Sequence, residues 1–209
     1  MNTLSAKYTE RYNLVLKPLA EALNEFLEGV FSKTECVCRL STRAKAIDSF
    51  LEKAERTQDG KHKYNDPLNQ IQDQLGALIV TRLLSEVPTV SDVVDKYFSR
   101  IERQTIEPDS ESEFGYVGEH YILFIPNDIL SVVPSEHDVD FFELQIKTLF
   151  QYAWSETNHL IGYKRIARLT SDQRRRSAFV AAQAWGADRA VDELYEEVNA
   201  GTQSEATDA

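Results

Sequence analysis

Two groups of polar residues have types and spacings that suit phosphate chemistry. In DFFELQIKT, residues 140–148, the chain alternates, so Phe142, Leu144 and Ile146 share one face of a strand while Phe141, Glu143 and Gln145 share the other. A carboxylate and an amide therefore stand two residues apart on one surface, at a strand end where α/β proteins bind ligands. From Ile146 the period changes: Ile146, Leu149, Phe150, Ala153 and Trp154 mark the apolar stripe of a helix, with Thr148 as N-cap, Gly162 as stop, and Gln151, Ser155 and His159 on another side. The second group is Arg43, Lys45, Ser49 and Lys53. If residues 42–56 form one helix with Ala44, Ile47, Leu51 and Ala54 inward and Ser41 as cap, then Lys45, Ser49 and Lys53 recur at i, i+4 and i+8 along one face. Such a set could grip a polyphosphate, Arg by planar contacts and Lys by point charge, although a basic face is also the ordinary solvated side of an amphipathic helix.

Other elements must position these groups. Residues 5–31 have the helical period of a packed helix, kinked or split at Pro18, and a short strand over 35–40 follows. TQDGKHKYNDPLNQ, residues 57–70, is a polar loop whose Lys61, His62 and Lys63 could reach phosphate or simply stay solvated. Residues 71–84 make a buried strand with Asp73 at its entry, and a helix capped by Ser91 runs to about residue 103 with Val93, Val94, Tyr97, Phe98 and Ile101 inward. In the strand that follows, Tyr116, His120, Ile122 and Phe124 share a face. A last helix over 171–198 carries an exposed cluster, Arg174, Arg175 and Arg176, and a small polar tail over 201–209 is expected to be disordered.

Composition narrows the class. With 209 residues the chain is long enough for one core, and a single domain over residues 1–200 is expected, its centre at about 39–164 and its helical extensions at 5–31 and 171–198. The net charge of −11 argues against nonspecific binding to nucleic acid. The excess is uneven, since after residue 187 seven acids stand against Arg189 alone. No long apolar run and no leader-like N-terminus are visible, so no membrane partner and a cytoplasmic location are expected. Cys36 and Cys38, one residue apart, are badly spaced for a disulfide and too few for zinc, and are expected to be reduced.

The run ELQIKTLFQYAWSETNHLIGYK resembles the conserved segment of the RelA/SpoT synthetase family, whose members transfer pyrophosphate from ATP to a 3′-hydroxyl, usually that of GDP or GTP. Glu143, Gln145, Lys147, Thr148, Ala153, Trp154, Glu156, His159, Tyr163 and Lys164 carry the match. The spacing of Arg43, Lys45, Ser49 and Lys53 matches the family's ATP-binding helix, Asp73 and Gly76 its Asp-x-x-Gly-x-Arg, and Gly115, Tyr116 and His120 its Gly-Tyr-[Arg/Lys]-x-x-His. Leu78 and Val117 depart from the pattern by replacing basic residues; Arg82 could stand in for the first.

The resemblance implies an α/β fold with a mixed β-sheet and flanking helices, nucleotidyltransferase-like, extended by helices at both ends. It implies Mg²⁺ held by Asp73 and Glu143, with Glu143 as candidate base and both as catalytic residues. Arg43, Lys45, Ser49 and Lys53 would bind ATP; Tyr116 would stack the acceptor base, and His120, Gln145 and Lys147 would orient its phosphates or sugar. The acceptor implied first is GDP or GTP. Two alternatives stay open: a toxic transferase acting on the 3′ end of tRNA and paired with an antitoxin protein, and a degenerate nucleotide-binding regulator. A homo-oligomer built by the flanking helices also stays open.

Overall fold

A computed structural model describes residues 3–110, 113–115, 117–134, 139–162 and 169–207. In chain order they form α1 (Thr3–Arg11), a π turn (Tyr12–Leu16), α2 (Lys17–Phe31), β1 (Val37–Ala44), α3 (Ile47–Ala54), β2 (Thr57–Gln58), β3 (Lys61–His62), α4 (Pro67–Gln70) and a 3₁₀ turn (Gln72–Gln74). There follow β4 (Leu75–Thr81), α5 (Val87–Tyr97), β5 (Arg100–Ile106), β6 (Gly118–Phe124), α6 (Asn127–Leu130), β7 (Phe141–Thr148), α7 (Leu149–Gly162) and α8 (Ser171–Thr207). The α/β class and the mixed sheet are as expected. Five strands run in the order β1-β4-β7-β6-β5, with β4 and β7 parallel and the other neighbours antiparallel.

Alternation divides the sheet into a core face and a polar face. Leu75, Ala77 and Ile79 of β4, Tyr121 and Leu123 of β6, and Phe142, Leu144 and Ile146 of β7 are buried together with Leu19, Leu23, Leu27 and Phe31 of α2. Burying each such side chain is worth roughly 1.5–3 kcal/mol, so this layer outweighs any single polar contact. Thr42 Oγ1 donates to Ala20 O at 2.6 Å, which ties β1 to α2 on the same side.

The distortion expected at Pro18 is a π turn just before it; Lys17 N–H reaches back to Tyr12 O. That turn inserts a residue into the helical phase, so Leu16 rather than Val15 is fully buried.

Several element boundaries differ from expectation. Residues 42–44 are strand, because Thr42 and Ala44 pair with Ala77 and Leu75, and α3 begins only at Ile47; Ser41 caps nothing. The helix at 91–103 is instead α5, which starts near Pro88, a residue suited to a first turn, and gives way to β5 at Arg100, leaving Ile101 exposed. In α7, Trp154 is buried but Leu149 and Ala153 are exposed, since Ile146 still belongs to the strand and sets no helical phase.

Residues 57–63 make a two-residue hairpin in which Asp59 and Gly60 both have positive φ, 53° and 76°, the turn that Asp-Gly favours. Lys61, His62 and Lys63 are exposed on it. Both cysteines are free, and Cys38 Sγ lies 3.2 Å from Val80 O.

The turn from β7 into α7 is a capping box: Gln151 N–H donates to Thr148 Oγ1 at 3.1 Å and Thr148 N–H donates to Gln151 Oε1 at 3.0 Å. Thr170 and Gln173 repeat it at the start of α8. That helix runs to Thr207, beyond residue 198, and packs on α7. Thr148 Oγ1 also donates to Asp188 Oδ2 on α8 at 2.7 Å.

Asp188 borders a cavity of about 70 Å³ between α7, α8 and Val117. Burial pushes its carboxyl up to about 6, against the Thr148 hydrogen bond. A carboxyl raised in the folded state holds its proton more tightly folded than unfolded. Its stabilising share is therefore full below the unfolded value near 4 and lost as pH rises through about 6. Asp188→Asn should unfold at higher urea than the parent at pH 8, with a gain of about 3 kcal/mol, and match it near pH 4.

Candidate active site

The polar face of the sheet carries the chemistry. In register, Arg43 of β1 lies beside Gly76 of β4, and Gly76 beside Glu143 of β7, so one row crosses three strands. Gly76 has no side chain to fill the row; a Cβ there would lie 3.8 Å from Arg43 Cγ. A second row runs Ser41, Leu78, Gln145 and His120.

Asp73 sits in the turn just before β4, with φ −89° and ψ 28°. Its Oδ2 accepts from Lys45 Nζ at 2.8 Å and from Lys53 Nζ at 3.0 Å. Lys45 is not on the helix with Lys53, as its spacing predicted. It follows β1, where its N–H donates to Gln74 O at 2.8 Å, and the two ammonium groups converge from a strand end and from α3. Ser49 lies half-buried on α3, one turn before Lys53.

Burial acts to raise the Asp73 carboxyl, but the charges and hydrogen bonds of Lys45 and Lys53 together hold it below the usual carboxylate range. Its Oδ1 is buried with no partner among the described residues. A buried, ionised oxygen without a donor is costly unless a cation or a ligand meets it.

Glu143 is held on both oxygens: Oε1 lies 3.0 Å from His120 Nδ1, and Oε2 accepts from Gln145 Nε2 at 2.9 Å. Burial raises its carboxyl, yet the His120 bond and charge, with Gln145, bring it below the ordinary value; nearby Asp73 opposes them. The two carboxylates thus feel one another at the same end of parallel strands. Lys147 is buried farther along the face, with Nζ 3.2 Å from Ser155 Oγ of α7. Burial depresses its ammonium to about 8, while Glu156 and Glu143 push the other way. Burial likewise lowers His159, against Glu156.

The arrangement brings Arg43, Lys45, Lys53, Asp73, His120, Glu143, Gln145 and Lys147 onto one side of the sheet. Tyr116, Tyr163 and Lys164 lie outside the described residues, so the stacking expectation for Tyr116 has no structural counterpart here. Arg82 does not replace the arginine missing at Leu78. It follows the far end of β4, where Nη2 donates to Glu35 O at 2.6 Å and lies 3.4 Å from Glu86. A seven-residue strand, roughly 23 Å, separates that end from Asp73. Two residues bonded to segments that carry the site, Tyr8 to Lys45 O and Arg11 to Leu68 O and Gln74 Oε1, are not singled out by any sequence signal.

Lys53 pairs with Asp73 and is only half-buried. Lys53→Ala should weaken binding of an ATP analogue roughly tenfold, about 1.4 kcal/mol, as read by calorimetry. An unchanged affinity would make this ammonium a counter-ion of Asp73 alone.

Comparison with known proteins identifies the family and the fold. A curated relative, GTP pyrophosphokinase YjbM of Bacillus subtilis (strain 168), is 25% identical over 166 residues, covering 76% of this chain and 74% of the relative. The crystal structure of small alarmone synthetase 1 from Bacillus subtilis bound to its product pppGpp superposes with a TM-score of 0.74 at 23% identity, over 92% of this chain and 98% of that one. A GTP pyrophosphokinase family protein from Streptococcus pneumoniae gives 0.73 at 20% identity, over 96% and 97%. The profile described as the region found in RelA / SpoT proteins matches residues 42–168, the span that contains both carboxylates and every basic residue converging on them. The chain belongs to the RelA/SpoT family.

Proposed function

We propose that this protein transfers pyrophosphate from ATP to the 3′-hydroxyl of a guanine nucleotide, GDP or GTP, releasing AMP. The observation that carries it is the ionised Asp73, gripped by Lys45 and Lys53 in the turn before β4 and close enough to the ionised Glu143 of the neighbouring parallel strand for their charges to interact. Membership of the family and a relative named for GTP pyrophosphokinase activity supply the substrate class.

In the reaction the 3′-oxygen bonds to the β-phosphorus of ATP, the bridging bond to the α-phosphate breaks, and the hydroxyl proton leaves. Glu143 takes that proton, since its carboxylate is ionised and is fixed by His120 and Gln145. Arg43, Lys45, Ser49 and Lys53 hold the donor's phosphates, and Lys147 adds charge deeper in the face. Tyr116 stacks the acceptor base.

The residues fit Mg²⁺: Asp73 offers an unpartnered buried oxygen, and Glu143 stands nearby. Mg²⁺ is held by one or two carboxylates with substrate phosphates supplying other ligands, so a small donor set suffices. Bound there, it would neutralise charge building on the phosphates.

Incubation with labelled ATP and either GDP, GTP or bulk tRNA tests the acceptor. Label on GDP or GTP with AMP release is expected; label on tRNA alone, or no transfer, overturns the reading. In the arginine cluster of α8, Arg176 pairs with Asp172 at 2.9 Å and Arg174 donates to Leu169 O at 3.0 Å. Exposed Val191, Leu194, Tyr195 and Val198 on α8 support an assembly of copies through the terminal helices. No described helix is long and apolar enough to cross a membrane.

A further inference from the structure

We propose that Tyr8 and Arg11, on a helix that precedes the family-matched region, are positioning residues of the donor site, holding Lys45 and Asp73 in the geometry that receives ATP. The proposal rests on the functional reading above for the name of the ligand, and on the following contacts for its substance.

Tyr8 and Arg11 lie one helical turn apart on α1 and so face the same way. Tyr8 is fully buried, with its ring stacked on Phe50 of α3 at 3.6 Å between centroids and 3° between planes. Its hydroxyl donates to the carbonyl of Lys45 at 2.8 Å. Phe50 adjoins Ser49 and stands one turn before Lys53, so one ring braces α3 and one hydroxyl fixes the strand end from which Lys45 projects. Burial, and after it the Asp73 charge, keeps the phenol protonated and therefore a donor.

Arg11 holds the opposite wall. Its Nη1 donates to Leu68 O at 2.6 Å and to Gln74 Oε1 at 3.2 Å. Gln74 adjoins Asp73, and its amide donates in turn to Leu68 O at 2.7 Å and Ile71 O at 2.9 Å. The two walls meet where Lys45 N–H bonds Gln74 O. The Asp73 turn is thus fastened at Gln74 by a side chain some sixty residues away, and the Lys45 segment by that side chain's neighbour on α1. Reacting groups need placing to within fractions of an ångström, and a shift of about 1 Å can cost a hundredfold.

The test uses the whole protein. Tyr8→Phe keeps the stack on Phe50 and deletes only the donor; Arg11→Met keeps length and deletes both hydrogen bonds. For each, binding of α,β-methylene ATP is measured by calorimetry, KM is measured separately for ATP and acceptor, and unfolding is followed by heat. Both variants are expected to weaken analogue binding and raise the KM for ATP roughly fivefold, with the KM for acceptor within about twofold and Arg11→Lys regaining part of the loss. A purely structural role would instead lower the active fraction, reducing the apparent kcat with both KM values unchanged. That pattern, or unchanged analogue affinity in folded variants, overturns the proposal. Should Tyr8→Phe fail to fold, Arg11→Met decides by the same criteria. A parent protein that binds the analogue yet transfers nothing to any acceptor would refute the functional reading while leaving this one standing.

Discussion

Asp73→Asn is expected to lower pyrophosphate transfer by a thousandfold or more, about 4 kcal/mol of transition-state stabilisation, and also to destabilise the fold. The second effect follows from the ion pairs. Neutralising Asp73 leaves Lys45 and Lys53 facing one another with their shared counter-charge gone, so the melting temperature should fall by several degrees and recover partly in salt. The pH dependence has a definite sign. The Asp73 carboxyl is depressed in the folded protein, so its stabilising share is present above the unfolded value near 4 and lost as pH falls below it. Urea titrations from pH 7 down to 3 should show that loss in the parent and not in the variant. A variant as stable as its parent throughout would mean that the lysines are already neutralised by something else, and full activity would remove Asp73 from the reaction.

Glu143→Gln is expected to reduce kcat by a factor of roughly 10² to 10⁴ while leaving ATP-analogue affinity within a few fold. The amide can still meet Gln145 and His120, so geometry is largely kept and only the proton acceptor is lost. The parent's rate should hold steady through neutral pH, because its carboxylate titrates below the ordinary range, and should decline toward alkaline pH as Lys147 loses its charge near 8. Lys147→Arg, which stays charged, should push that decline to higher pH. A kcat unaffected by Glu143→Gln would assign proton removal elsewhere.

Much of this site was legible because it sits where periodicity changes. The alternation of Phe142, Leu144 and Ile146 placed Glu143 and Gln145 on the open face without any structure, and Thr148 announced the helix that follows. The misreadings also have physical causes. Lys45, Ser49 and Lys53 have helical spacing, yet Thr42 and Ala44 pair with β4, and a sheet ladder takes precedence over local helix propensity. The lysines still converge on Asp73, for reasons of strand ending rather than helical phase. Tyr8 and Arg11 were invisible because a hydroxyl bonded to a distant carbonyl leaves no local trace; an apolar helical stripe looks the same whether it packs or positions. Ile101 was drawn into a helix because a charged edge strand such as β5 has too little alternation to advertise itself.

The order of strands in the sheet bears on how the enzyme comes into being. β7 is the last strand in the sequence but lies between β4 and β6, and it alone joins β1-β4 to β5-β6. Until residues 141–148 have left the ribosome, the chain can form at most two separate antiparallel pairs, each with an open edge, and Asp73 has no Glu143 to face. Closing the sheet therefore requires inserting a central strand between partners far apart in sequence, a step with a large entropic cost and a correspondingly slow rate. A growing polypeptide therefore lacks the pairing of Asp73 and Glu143 until the middle strand docks.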